Sequence, residues 1–138
     1  MRARLVSCLG LALVAAACAG DGVVLVDEGP PSNGPTLTQL QTQIFTPQCA
    51  FEGCHAPPAQ QGMNLTAGNT YAFIVNVDAV ELSGHKRVAP GNAADSYLYM
   101  KIAGDPRIVG ERMPFGGMLT QTQIEMVRAW IDAGALNN

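Results

Sequence analysis

Apolar residues recur at helical spacing in two separate stretches of the chain. Leu37, Leu40, Ile44 and Phe45 fall on one face of a helix, with Thr36 or Thr38 placed to cap its start. Pro47 ends or distorts that helix just before Cys49, because proline lacks the N–H and crowds the preceding turn. Near the C-terminus, Ile124, Val127, Trp130 and Ile131 mark a second apolar face. Thr120-Gln121-Thr122-Gln123 ahead of it is a capping box, and Ala133-Gly134 stops it. A shorter helix is expected in Tyr97-Leu98-Tyr99-Met100-Lys101-Ile102. Asn92 or Asp95 can cap it and Gly104-Asp105-Pro106 ends it. Tyr71-Ala72-Phe73-Ile74-Val75 is apolar but too short for its period to separate helix from strand.

Between these stretches the pattern breaks. Residues 56–69 carry Pro57-Pro58, Gly62 and Gly68 and read as loop. Arg112-Met113-Pro114-Phe115-Gly116-Gly117 holds too many breakers for regular structure. His85-Lys86-Arg87, beside Ser83-Gly84, reads as a solvated turn, with His85 a surface histidine by default and a metal ligand as the sharper alternative.

The N-terminus belongs to processing. Arg2 and Arg4 precede an apolar run over residues 5–17, too short for a permanent membrane span, which needs about 20 residues. Val14-Ala15-Ala16-Ala17-Cys18 resembles a bacterial lipoprotein signal, which implies removal of residues 1–17 and lipid on Cys18. The plain alternative is cleavage after Ala17 or Ala19 to give a soluble periplasmic protein. Residues 18–35 have the Gly, Pro and Ser content of a flexible tether, with Val23-Val24-Leu25-Val26 a short β-prone run inside it. The folded domain is expected over residues 36–138. The protein is therefore expected to be exported, with the domain in the periplasm or at the cell surface and membrane contact through the lipid.

Composition sharpens this picture in two respects. Aromatic residues are only 6% of the chain, so the core of a domain this small is thin, and a buried macrocycle would supply apolar mass. The formal charge of −3 becomes more negative once Arg2 and Arg4 leave, which excludes nucleic acid as an expected partner. A mildly acidic surface fits docking to a basic partner protein. Asn64-Leu65-Thr66 matches a glycosylation acceptor, which a bacterial lipoprotein has no use for.

The chemistry concentrates in Cys49-Ala50-Phe51-Glu52-Gly53-Cys54-His55. Cys8 leaves with the signal and Cys18 takes lipid, so Cys49 and Cys54 alone remain for the domain. Two cysteines followed at once by histidine can fasten haem through its vinyl groups and ligate the iron. Here four residues separate the cysteines rather than two, and Gly53 supplies the backbone freedom that the longer spacer needs. The residues alone leave two alternatives open. One is a Cys49–Cys54 disulfide with His55 idle, which an exported compartment equally permits. The other is a zinc site, for which no second closely spaced ligand pair is present.

Taken in order, these segments resemble a class I c-type cytochrome, most closely the planctomycete-type cytochrome c domain. The residues that carry the resemblance are Ile44-Phe45 before Cys49, then Cys54-His55, Gly62-Met63-Asn64-Leu65 and Val88-Ala89-Pro90-Gly91-Asn92. Ser96-Tyr97-Leu98, Arg112-Met113-Pro114 with Gly116-Gly117, and Ile124 through Trp130-Ile131 to Gly134-Ala135 complete it. The resemblance implies an all-α fold of three to four short helices around one haem, with long loops. The helix ending at Cys49 would cross the C-terminal helix, bringing Ile44 and Phe45 to Val127 or Trp130. It further implies one covalent haem c held by Cys49 and Cys54, with His55 and Met113 as iron ligands.

Met113 has competitors for the sixth position in His85 and Met118, while Met63 and Met100 have the look of core filler. Lys101, Arg107 and Arg112 are candidates to partner haem propionates or a docking surface. The function implied is one-electron transfer between redox partner proteins, not enzymatic turnover. A disulfide-stapled lipoprotein serving as a binding module is the reading from another class. A peroxidase ranks last, because no distal histidine stands in a convincing setting.

Overall fold

Thr36 opens the first helix by taking the Gln39 N–H on its hydroxyl at 3.1 Å, while the Gln39 side chain takes the Thr36 N–H at 2.9 Å. This reciprocal cap settles the choice between Thr36 and Thr38. The computed structural model describes residues 34–138. The signal peptide expected over residues 1–17, the lipid expected on Cys18 and the expected tether up to residue 33 lie outside the described residues.

Of the two expectations for Pro47, the helix is distorted and not ended by it. Turns Leu37–Leu40, Gln41–Phe45 and Thr46–Gln48 run on as one element, α1, whose middle turn is a π-helix. There the Thr46 N–H reaches back to Gln41 O, one residue further than in an α-helix. A widened turn gives the proline ring room beside the carbonyl it would otherwise crowd. Gln43 O, whose α-helical donor would be the N–H that Pro47 lacks, instead meets Gln48 Nε2 and Gln123 Nε2, each at 3.4 Å.

The ambiguous apolar run is a helix: α2 spans Thr70–Ile74. The Thr70 hydroxyl donates to Gln41 Oε1 at 2.6 Å and so fastens α2 to α1. Asn92 accepts the Asp95 N–H and caps a 3₁₀ turn at Ala93–Asp95, which leads into α3, Tyr97–Ala103. Gly104 closes α3 at φ +76°, a left-handed conformation that glycine adopts without Cβ strain. The last helix, α4, is Gln121–Asp132, and its Thr120/Gln123 capping box is formed as expected.

The chain end returns to the first helix. Asn138 accepts the Leu37 N–H on its side chain and the Thr38 N–H on its main chain, both at 3.0 Å. These are two of the orphan donors of the first turn of α1. The apolar faces of α1 and α4 share one core. Leu37, Leu40, Ile44, Phe45, Ile124, Val127, Trp130 and Ile131 are all buried in it, with Leu65, Ile74, Val88, Leu98 and Ile102. Gly34 runs so close to α4 that a Cβ there would lie 3.2 Å from the Ala133 Cβ. The described residues are helix-rich with no strand, and pairing is confined to isolated bridges such as Val75 with Val88. This agrees with the all-α expectation of three to four short helices. Among the described residues no helix is long and apolar enough to cross a membrane.

Candidate functional site

The C-terminus of α1 hands the chain directly to the cysteine turn. Phe45 O accepts the N–H groups of both Cys49 and Ala50, at 2.9 and 2.8 Å, which closes the helix. Cys49 then leaves helical geometry at φ −131°, ψ −38°. The four-residue spacer folds back on itself. Phe51 O accepts from Cys54 and Ala56, both at 3.0 Å, and Cys49 O accepts from His55 at 3.2 Å. Gly53 sits at φ +79° in the middle of this turn. The longer spacer thus forms a compact loop that returns the backbone of His55 to that of Cys49.

His55 is aimed by its second nitrogen. Nδ1 donates to Met63 O at 3.1 Å, which places the free lone pair on Nε2. The main chain repeats the tie, with Leu65 N–H on His55 O at 2.8 Å. Burial pushes the imidazole below the ordinary histidine range; the bond to Met63 opposes this and the charge of Arg87 adds to it. A neutral imidazole whose Nδ1 proton is held on a carbonyl, leaving the lone pair on Nε2, is the form a metal ligand requires.

This turn forms part of the wall of a cavity of about 520 Å³. The remaining walls are largely apolar, from Ile44 and Phe45 of α1, Leu65, Leu98 and Ile102 of α3, Leu119, and Val127 of α4. Cys49, Cys54, His55 and Met113 all line it, so the four residues named from the sequence meet at one place. Cys49 and Cys54 are free thiols, half-buried and exposed respectively, and the disulfide considered for them is not formed. Burial, with Cys54 nearby, pushes the Cys49 thiol up to about 11. Met113 is half-buried, and its N–H is held by Lys101 O at 3.0 Å.

The competing ligands lie elsewhere. Met118 is 72% exposed with its sulfur against Arg112, and Met100 is buried in a separate small cluster with Ala79 and Tyr97. His85 pairs with Asp95 at 3.3 Å, outside the cavity wall. Met63 also lines the cavity, and its carbonyl accepts from His55 Nδ1. Among the described residues no three His, Cys, Asp or Glu side chains converge to hold a metal, so nothing adds to the zinc reading.

Arg87 corrects the expectation of a solvated turn at 85–87. It is 8% exposed, and its guanidinium donates to Gly62 O at 3.1 Å, Phe73 O at 2.8 Å and Gln61 O at 2.6 Å. It thereby clamps the loop that bears Met63 while lining the cavity. Burial lowers its pKa from the usual arginine value. Of the cationic candidates, Lys101 lines the cavity, whereas Arg107 and Arg112 do not. Arg107 is spent on Asp105 at 2.9 Å, and Arg112 donates to Ile102 O at 2.9 Å.

Sequence reasoning missed Arg87, Glu81 and Tyr97 as wall residues. The available signal for Glu81 was its interruption of the apolar run Ala79-Val80-Glu81-Leu82. Arg87, in a turn with Gly84 and two other polar residues, carried none.

The donor set fits a haem. An imidazole held through Nδ1, a thioether and two thiols share one apolar cavity, whose volume falls in the range of roughly 300–1,000 Å³ usual for cofactor pockets. Comparison of the chain with protein-family models, with curated proteins and with solved structures finds no match to any of them.

Proposed function

We propose that this chain is a monohaem c-type cytochrome that carries one electron at a time and is tethered to a bacterial membrane by lipid on Cys18. The observation that carries the reading is the meeting of Cys49, Cys54, His55 and Met113 on one apolar cavity. Three of these come from a single turn, whereas Met113 arrives from a distant loop that no local pattern obliges to be there.

Cys49 and Cys54 would hold the haem covalently, and His55 and Met113 would be its iron ligands. Haem supplies a one-electron couple, and a thioether ligand raises its reduction potential relative to two imidazoles. The protein's own part is to keep the ligands in the correct state. Met63 O fixes the His55 tautomer, Lys101 O anchors the Met113 backbone, and the apolar walls exclude water. Arg87, a buried cation on the cavity wall, would set positive charge beside the acidic side chains of a haem. No acid, base or nucleophile is required, so the proposed role is electron transfer between partner proteins and not catalysis. The domain of residues 36–138 would act at the periplasmic or outer face, behind its tether.

The test is expression of the full chain in a host with haem-attachment machinery. A Soret band that survives denaturation and acid–acetone extraction is expected. Its absence from properly matured protein would sink the haem reading, and a mass two daltons below the dithiol would establish the Cys49–Cys54 disulfide in its place. In the haem-bearing protein, Met113→Ala should abolish the weak thioether-to-iron band at the red edge of the visible spectrum. Cys18→Ser should move the protein from the membrane to the soluble fraction, and continued membrane association would refute the lipid.

A further inference from the structure

The segment that brings Met113 to the cavity has no regular structure of its own, with Gly110 at φ +70° and Pro114 following the methionine. Its backbone is tied to one helix instead. Lys101 on α3 is 9% exposed, and its ammonium donates to Val109 O at 2.7 Å and Glu111 O at 3.1 Å. It also pairs with Glu81 Oε2 at 2.9 Å. These contacts use all three of its protons. The Lys101 carbonyl in turn accepts the Met113 N–H at 3.0 Å.

One turn earlier on the same face, the Tyr97 hydroxyl donates to the same Glu81 oxygen at 3.0 Å and accepts the Val109 N–H at 3.1 Å. Both polar groups of Val109, the carbonyl of Glu111 and the N–H of Met113 therefore end on Tyr97 and Lys101. Glu81 is the anion that holds the hydroxyl and the ammonium together. Packing alone does not call for this arrangement, since apolar residues fill such a space without the cost of desolvating a charge. What the ammonium adds is direction: it fixes two carbonyls of an otherwise irregular loop.

We propose that Glu81, Tyr97 and Lys101 form a strut that holds the Met113 thioether at the cavity and so governs whether the sixth iron position stays closed. The inference rests on the haem reading of the cavity. Lys101 and Tyr97 are positioning residues, because they touch the loop's backbone and not the ligand sulfur. An external ligand binds in proportion to the fraction of molecules in which Met113 has let go, so loosening the strut must raise its apparent affinity.

The experiment compares full-length wild type, Lys101→Met and Tyr97→Phe after maturation with haem. The first variant keeps the aliphatic stem and removes the ammonium; the second removes a single hydroxyl and remains informative should the first not fold. Imidazole titration should show affinity raised about tenfold or more in Lys101→Met and a smaller rise in Tyr97→Phe, each with a weakened thioether-to-iron band. Amide exchange at Val109 and Met113 should quicken in both variants while that of α4 does not. Imidazole affinity within twofold of wild type in both variants, with the band intact, overturns the strut. The denaturation-resistant Soret band is read on the same samples. If the wild type lacks it, the haem reading fails, and unchanged exchange at Val109 and Met113 then overturns the strut on its own.

Discussion

Cys49 and Cys54 are neighbours in one turn, yet they offer their thiols very differently. Cys54 is exposed, whereas burial holds the Cys49 proton on to about 11. Reactivity follows the thiolate fraction and access. In protein made without haem attachment, alkylation at pH 8 should modify Cys54 first, with Cys49 slower by about tenfold or more until the pH nears its raised pKa. Peptide mass spectrometry reads both rates, and equal rates would contradict the burial of Cys49. His55 sets a second expectation in the same preparation. Its folded pKa lies below the ordinary histidine value of 6.5, so as pH falls past that value the unfolded chain takes up the proton first. Stability that is fully present above about 6.5 should therefore decline as pH falls through the folded pKa. Urea midpoints at pH 7 and pH 5 should differ less in His55→Gln than in wild type.

At the scale of elements, the helices were legible where a single local signal decides. The Thr120/Gln123 box and the face of Ile124, Val127, Trp130 and Ile131 announced α4, and all four apolar residues are buried. Thr120→Ala should cost about 1 kcal/mol in urea denaturation, because the Gln123 N–H loses its acceptor at the helix start. α1 was only half legible. Its apolar face was visible and Pro47 marked where the helix would end or be distorted, but that the distortion is a π turn widened around the ring has no sequence signature. The acceptor stranded by Pro47 is met partly by Gln123, a residue of α4, so the solution is tertiary. The same holds for α2, whose helical state is supported by Gln41 of α1 as well as by its own residues.

For the whole molecule, Trp130 connects core and chain end. It is 1% exposed within the main cluster, and its indole N–H donates to Leu136 O at 2.9 Å. Trp130→Ala should cost about 3–5 kcal/mol, a large share of what so small a domain possesses. Trp130→Phe, which keeps an aromatic ring and loses the hydrogen bond, should cost visibly less in the same thermal melts. The cavity is the other molecular feature, because its walls come from α1, α3, α4 and the loops between them. A covalently held macrocycle would join these parts. The Cys49→Ala/Cys54→Ala protein should therefore melt at least about 10 °C below the matured wild type, roughly 2 kcal/mol for a domain of this size. Coincident melting temperatures would mean that the cavity walls stand without an occupant.

The sequence by itself determined the helices whose caps and apolar faces are local, and it set Cys49, Cys54 and His55 side by side, whereas Met113 was implied only by the resemblance of the whole chain to a family. Spacing along a chain is enough for such features, since a cap or a helix face involves neighbours within a few residues. Only the tertiary structure decided which methionines and histidines reach the cavity, bringing Met63 and Met113 to it with His55 and leaving Met118, Met100 and His85 elsewhere. It also turned Arg87 from a surface residue into a buried clamp, and it tied the Met113 loop to Tyr97 and Lys101. Each of these depends on backbone carbonyls and N–H groups far away in the chain. Every residue has a backbone carbonyl, so no residue type in the sequence marks the ones a buried cation will find.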